Sequence, residues 1–245
     1  MSARALWIGP GAERALASGA VGTVEVAMRR GGYVSFVGQW LLLAPARAPL
    51  GPLTVLVQGL DGPLAPDATV RHAAGALHVG DLRIELRGAR LPPPPAPPLP
   101  LRSAWRAALA AARGSCAAPP VGLEAGLAAL RRGAPEEAVA ALAGRGPGLT
   151  PAGDDVLAGF AGWCHADGAP VSLAALAARR GSPIGLAYLR CAERGELPEA
   201  ARRTLEAIRA GDPALAARRA RGLARWGATS GGAMLCGMAV AAGRT

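Results

Sequence analysis

Residues 92–100 read PPPPAPPLP, and this proline stretch divides the sequence into two parts of different character. Because proline fixes its own φ and disfavours helix in the residue before it, such a run adopts the extended polyproline II conformation and acts as a semi-rigid spacer. We therefore predict a β-rich domain over residues 1–91, a proline-rich linker over 92–100 and an α-helical domain over 101–245. The predicted fold class is α+β, with the strands before the helices.

Short apolar runs of strand length dominate the part before the prolines. One run alternates, because Leu82, Ile84 and Leu86 face one way while charged side chains between them face the other way. This alternation is typical of a half-buried strand. The pattern predicts a small, mostly antiparallel sheet or barrel with strands over residues 23–28, 33–37, 40–44, 53–58 and 82–86.

Helical periodicity replaces the strand pattern after the prolines. Leu and Ala recur at spacings of three and four residues, with Arg and Glu on the opposite face. The predicted helices cover residues 103–113, 123–132, 135–143, 198–209 and 213–226. The uncharged stretch 226–243 is only moderately apolar, so we predict a buried helix there and no membrane span.

The net charge of +10 comes from arginine alone, since the sequence contains no lysine. The arginines are spread along the chain and aromatic residues make up only 4%, a pattern that disfavours nucleic acid as a partner. The four cysteines stand singly without a CxxC pair, and the apolar run before Pro10 is too short for a signal peptide. We therefore expect reduced thiols and a cytoplasmic location.

The most informative motif is GRGPGLTPAGDDVLAG, at residues 144–159. Gly146 and Gly148 allow the backbone to approach a ligand, while Thr150 is the predicted N-cap of a helix with Pro151 as its first residue. Loop amides and the helix N-terminus would then point at a phosphate or carboxylate, with Arg145 adding positive charge.

Two adjacent acids, Asp154 and Asp155, follow this loop after Gly153. Carboxylates beside an anion site could bridge through Mg²⁺, act as a base or accept hydrogen bonds from a substrate amide. No other cofactor is indicated. The alternative is that the glycines form a tight turn and the acids complement the helix dipole.

A second segment, TSGGAMLCG at residues 229–237, is similar to residues 150–159 after one gap. Gly231 then matches Gly153, and Gly237 matches Gly159. We predict that both segments are capped loops entering small-residue helices whose N-termini converge on one site, which places Thr229 and Ser230 beside Thr150. The alternative is chance similarity in a chain rich in Gly and Ala.

The motif at 144–159 resembles the signature GPGLTPxGDD of a bacterial family of formerly unknown function. That family includes the third subunit of the oxamate carbamoyltransferase of anaerobic allantoin breakdown (AllH-like). Residues 182–196 are similar to the family's middle helix, and the resemblance covers most of the chain. It implies a role in carbamoyl transfer between carbamoyl phosphate and an amide such as oxamate, within a multi-subunit enzyme of purine catabolism.

The second loop departs from the family pattern, which is Gly-His-Ser/Thr-Ser-Gly followed by an acid. This chain has Ala228 in place of the histidine and Gly232 in place of the acid. One hypothesis is therefore a transferase subunit with Asp154 and Asp155 as catalytic residues. Its small anionic substrate would be held by residues Arg145, Gly146, Gly148, Thr150, Gly153, Thr229, Ser230 and Gly231. The other is a non-catalytic metabolite-binding or assembly subunit.

Overall fold

The computed structural model describes residues 2–92, 99, 101–115 and 121–244. The chain forms two compact units, Met1–Pro94 and Pro95–Thr245. Most of the predicted proline-rich linker, and Cys116, lie outside the described residues. The other three cysteines, Cys164, Cys191 and Cys236, form no disulfide with one another.

The first unit contains a closed barrel of eight strands. The strands are β1 (Ser2–Ile8), β2 (Val21–Ala27), β3 (Gly32–Phe36), β4 (Gln39–Pro45), β5 (Thr54–Gln58), β6 (Thr69–Ala73), β7 (Ala76–Val79) and β8 (Leu82–Glu85). Around the barrel their order is β1-β5-β4-β3-β2-β6-β7-β8. All neighbours are antiparallel except β1 with β8 and β4 with β5. The predicted mostly antiparallel β half is thus confirmed, and it is a barrel.

Side chains that alternate along the strands fill the barrel. In β8, Ile84 is fully buried while Arg83 points to solvent and pairs with Glu85, as the alternation predicted. Phe36 and Leu41 lie in the same core. The sequence analysis missed β1, β6, β7 and a helix, α1 (Pro10–Ser18), which follows β1. The buried face of β1 consists largely of alanines, which give a weak strand signal.

The second unit is helical. Its helices are α2 (Trp105–Arg113), α3 (Glu124–Arg132), α4 (Pro135–Leu142), α5 (Ala152–Ala166), α6 (Ala174–Ala177), α7 (Pro183–Ala192), α8 (Glu199–Arg209), α9 (Pro213–Leu223) and α10 (Ser230–Ala242). The central pair, α5 and α10, is buried on almost every face. In the part of the chain that the structure describes, no helix is both long and apolar enough to cross a membrane.

Helix boundaries differ from the prediction at positions that matter for the site. Thr150 is not the N-cap of α5, because Pro151 takes that position and the helix begins at Ala152. Thr229 is the N-cap of α10, but its side chain makes no capping hydrogen bond. The predicted capped loops are therefore wrong in this detail, and the hydroxyl groups of both loops are available for other contacts.

Candidate functional site

Glycines bring the backbones of α5 and α10 into direct contact. A Cβ atom on Gly159 would overlap the carbonyl oxygen of Met234, and one on Gly237 would overlap the carbonyl oxygen of Val156. The two contacts are reciprocal, since each helix presents a glycine to a carbonyl of the other. Only a residue without a side chain permits this approach.

A second pair of glycines packs the start of each helix against the helix that precedes it. Gly153 lies against the carbonyl of Leu142 at the end of α4, and Gly231 lies against the carbonyl of Leu223 at the end of α9. In both places a Cβ atom would overlap backbone, so these glycines fix the position of the loop that leads into each helix.

This packing brings the N-termini of α5 and α10 together. Thr150 Oγ1 and Ser230 Oγ lie 3.2 Å apart, within hydrogen-bond distance. The predicted convergence of the two loops is therefore observed. Because both helices point their positive dipole ends toward this junction, it favours negative charge.

Asp154 is buried, and protein donors occupy both of its carboxylate oxygens. The backbone N–H of Gly144 donates to Oδ1 over 2.7 Å. The backbone N–H and the hydroxyl of Ser182 both donate to Oδ2 over 2.9 Å. Asp154 thus ties the start of the glycine-rich loop to the N-terminus of α7, which leaves little capacity for a metal ion or a substrate.

Asp155 is buried to 1% exposure, yet its Oδ2 has no hydrogen-bond partner among the residues that the structure describes. Burial, opposed by a hydrogen bond with the hydroxyl of Ser230 and aided by the nearby charge of Asp154, raises the pKa of this carboxyl to about 8. Asp155 is therefore mostly protonated at neutral pH and can donate a hydrogen bond.

The glycine-rich loop between α4 and α5 lies at the surface, with Arg145, Gly146 and Gly148 exposed. Gly146 and Gly148 have φ values of +117° and +93°, in the left-handed region that favours glycine. Thr150, at the end of the loop, is half-buried. The loop therefore connects solvent with the buried contact between Thr150 and Ser230.

Ser182 is the residue of this site that the sequence analysis did not assign. It is the N-cap of α7, where its hydroxyl oxygen accepts from the N–H of Gly185. The Ser-Pro pair at positions 182 and 183 indicates a helix start. No local pattern indicates the contact with Asp154, which lies 28 residues earlier.

The side chains of this site do not favour the binding of Mg²⁺. Among the residues that the structure describes, no three His, Cys, Asp or Glu side chains are grouped so that they could hold a metal ion. Both carboxylate oxygens of Asp154 already accept hydrogen bonds from Gly144 or Ser182, and a mostly protonated Asp155 is a poor ligand. The residues present do not fit a magnesium site.

The comparisons with known proteins give one match. No curated protein and no solved structure matches the chain. Residues 142–242 match the model of the family described as oxamate carbamoyltransferase subunit AllH. This segment begins at the end of α4 and contains both α5 and α10. The resemblance to the family is thus confirmed over residues 142–242, which make up less than half of the chain.

Proposed function

We propose that this chain is a subunit of a carbamoyltransferase-type enzyme that acts on oxamate, or on a related small amide or carboxylate, with carbamoyl phosphate. The description of the matching family names a subunit of oxamate carbamoyltransferase, and the match covers the helices that build the α5–α10 junction. Other subunits of the enzyme are the expected partners.

The observation that carries this proposal is Asp155, a buried acid with an unpartnered oxygen at the meeting point of two helix N-termini. Burying a polar atom without a partner costs free energy, so a ligand that supplies the partner stabilises the protein. Because the acid is mostly protonated, it does not repel an anion drawn to the helix N-termini.

In carbamoyl transfer, the substrate nitrogen attacks the carbonyl carbon of carbamoyl phosphate. The new N–C bond forms as the C–O bond to phosphate breaks, phosphate leaves with the electron pair, and the nitrogen loses a proton. The loop amides of Gly146 and Gly148, with Arg145, would hold the phosphate or the carboxylate. Asp155 and Ser230 would orient the reacting groups, so that catalysis rests on positioning and electrostatics.

The contacts of Asp154 favour a role other than the catalytic one that the sequence predicts. Its three donors come from the protein itself, so we propose that it is a positioning residue that holds the loop and α7 in register. Asp155 alone remains as the candidate catalytic acid.

The second candidate is a non-catalytic metabolite-binding or assembly subunit. The sequence of the second loop favours it, since Ala228 and Gly232 replace the histidine and the acid of the family pattern. In this case the junction would still bind an anion, but the transfer step would take place on another subunit.

Ligand-induced thermal stabilisation of the purified chain tests the proposal. Carbamoyl phosphate, phosphate and oxamate are each added to the wild type and to the Asp155→Ala, Asp155→Asn and Asp61→Asn variants. A ligand at a hundred times its Kd should stabilise the wild type by about 2.7 kcal/mol. Asp155→Ala should lose this shift, while Asp155→Asn, which keeps a donor, should retain part of it. Asp61 is an exposed acid in the barrel and serves as the control.

Turnover of the assembled enzyme then distinguishes the two candidates. Loss of carbamoyl transfer in Asp155→Ala, with folding intact, supports the transferase site. Ligand binding that depends on Asp155 while turnover survives would support the metabolite-binding subunit. If none of the ligands shifts the melting temperature, the anion site is refuted.

A further inference from the structure

A cavity lies in the helical unit, away from the α5–α10 junction. It has a volume of about 410 Å³, which falls in the range of small-molecule sites. Its walls are largely apolar and come from the end of α3, the start of α4, from α5 and from the segment around α6. The principal apolar residues are Leu130, Phe160, Val171, Leu173 and Leu176.

Among the described residues that line this cavity, Arg244 supplies the one cationic side chain. Its Cζ lies 5.7 Å from the centre of the Phe160 ring, a cation–π contact. Its Nη2 would lie 3.0 Å from a Cβ atom on Gly133, so the missing side chain at the end of α3 makes room for it. The guanidinium is thus placed by the fold, and the negative end of the α3 dipole favours it there.

Within the part of the chain that the structure describes, no group accepts a hydrogen bond from the guanidinium of Arg244. A guanidinium has five N–H donors, and a carboxylate matches two of them in a planar, bidentate pair. No acid among the described residues forms an ion pair with Arg244. An aromatic face, a prepared cation and apolar walls therefore meet in one cavity.

The remaining polar groups of the cavity limit the charge of a ligand. Glu136 and Ser172 line it along with Arg244. With one cation and one carboxylate around the same space, a second negative charge on a ligand would lack a partner and would face Glu136. A monoanion is therefore favoured over a dianion.

We infer that this cavity binds a small organic monocarboxylic acid with an apolar body, its carboxylate paired with Arg244 and its apolar part against Phe160 and Leu176. Such a ligand differs from oxamate, whose remaining groups are polar and would gain nothing from the apolar walls. The site is separate from the α5–α10 junction and does not depend on the function proposed for that junction.

Calorimetric titration of the full chain with matched probes tests this site. Hexanoate supplies both the carboxylate and the apolar body, hexanamide keeps the shape without the charge, and adipate adds a second carboxylate. We expect hexanoate to bind at least tenfold more tightly than either of the other two. Equal binding of hexanoate and hexanamide, or no binding of hexanoate, would overturn the inference.

Variants locate the binding and separate it from the junction. Arg244→Gln should weaken hexanoate binding about tenfold or more, because the charge-assisted pair is lost. Ala175→Trp, at an exposed wall position, should block the cavity. Arg225→Gln, at an exposed arginine outside the cavity, and Asp155→Ala should both leave hexanoate binding unchanged. Unaltered binding in Arg244→Gln and Ala175→Trp would place the ligand elsewhere and refute the site.

Discussion

The α4–α5 junction and the α9–α10 junction share one packing plan, but only the first carries acids. At each junction, a glycine at the start of the later helix packs against a backbone carbonyl at the end of the earlier helix. Gly153 contacts the carbonyl of Leu142, and Gly231 contacts the carbonyl of Leu223. In each, the N–H of that glycine donates to a loop carbonyl, that of Arg145 in one and that of Trp226 in the other. The similarity of the two segments is therefore structural.

The spacing along the chain supports this relation. Arg145 lies three positions after Leu142, and Trp226 lies three positions after Leu223. The connection to the following glycine is three residues longer in the first junction than in the second. The extra length belongs to the glycine-rich loop. The first junction thus carries the longer glycine-rich loop and the two acids on the same backbone packing that the second junction shows without them.

The glycines and the acids of the two junctions have different roles. Gly153 and Gly231, which the sequence placed among the binding residues, make backbone packing contacts. Asp154 holds the loop and α7 together by accepting hydrogen bonds from Gly144 and Ser182. Oδ2 of the neighbouring Asp155, in contrast, has no hydrogen-bond partner among the described residues. Substitutions that affect packing should therefore act on stability alone, and substitutions at Asp155 should act on ligand binding.

The largest effect should come from breaking the close backbone contact between α5 and α10. Gly159→Val places a branched side chain where the carbonyl oxygen of Met234 lies, so α5 and α10 must separate. We expect a loss of more than ~3 kcal/mol in the free energy of unfolding, at the upper end for overpacked sites. Urea denaturation followed by far-UV circular dichroism measures it.

Gly222→Ala is the matched control for this substitution. Gly222 is an exposed helical glycine in α9, and a Cβ atom there would meet nothing within 4 Å. It should stabilise the protein by about 0.5–1 kcal/mol, because alanine is the better helix former. A Gly159→Val protein as stable as the wild type would show that the helices do not touch through their backbones.

A smaller loss should follow from removing the acid that holds the loop. Asp154→Ala leaves the N–H groups of Gly144 and Ser182 without their acceptor in a part-buried setting. We expect a cost of about 2–3 kcal/mol, since hydrogen bonds to charged groups contribute more than neutral ones. Chemical denaturation checks the stability, and limited proteolysis at the exposed Arg145 reports on loosening of the loop.

Asp212→Ala gives the reference value for an ordinary capping acid. Asp212 is exposed at the N-cap of α9 and accepts one hydrogen bond, from Leu215 N over 2.9 Å. Its removal should cost about 1 kcal/mol and leave the loop uncleaved. Equal losses for Asp154→Ala and Asp212→Ala would mean that Asp154 is no more than a helix cap.

Local patterns in the sequence predicted much of the fold but not the strands with weak signals. Alternation and proline punctuation located β8 and most of the helices, because these signals depend on neighbouring residues alone. β1 was missed because its buried positions Ala3 and Ala5 give little hydrophobic contrast. Closure of the barrel through the parallel pair of β1 and β8 depends on distant residues and has no local signature.

The sequence likewise predicts part of the candidate site. The repeat of Thr-x-x-Gly and Thr-Ser-Gly placed Thr150 beside Ser230, as the structure shows. The sequence predicts the same catalytic role for Asp154 and Asp155, since nothing in a motif distinguishes two adjacent acids. What separates them is Ser182, which approaches Asp154 only through tertiary packing.

The last effect, which is the smallest when taken per pH unit and which separates the two acids, is the pH dependence of stability. The pKa of Asp155 rises from an ordinary value of 3.8 to about 8 in the folded protein, mainly through burial. Between these pH values the folded state binds a proton that the unfolded state has lost. The contribution of Asp155 to stability is therefore full below the unfolded pKa and declines as the pH rises through the folded pKa, by at most about 1.4 kcal/mol per pH unit.

Asp155→Asn should remove this slope, because an amide stays neutral at every pH. Denaturation series from about pH 5 to about pH 9 should show the wild type losing stability relative to Asp155→Asn as the pH rises. Asp61→Asn, at an exposed acid of the barrel, should keep the wild-type slope. Parallel curves for the wild type and Asp155→Asn would mean that Asp155 ionises at its ordinary pKa. The charged carboxylate would then repel the anion that the two helix N-termini attract, and the neutral-donor role of Asp155 would have to be abandoned.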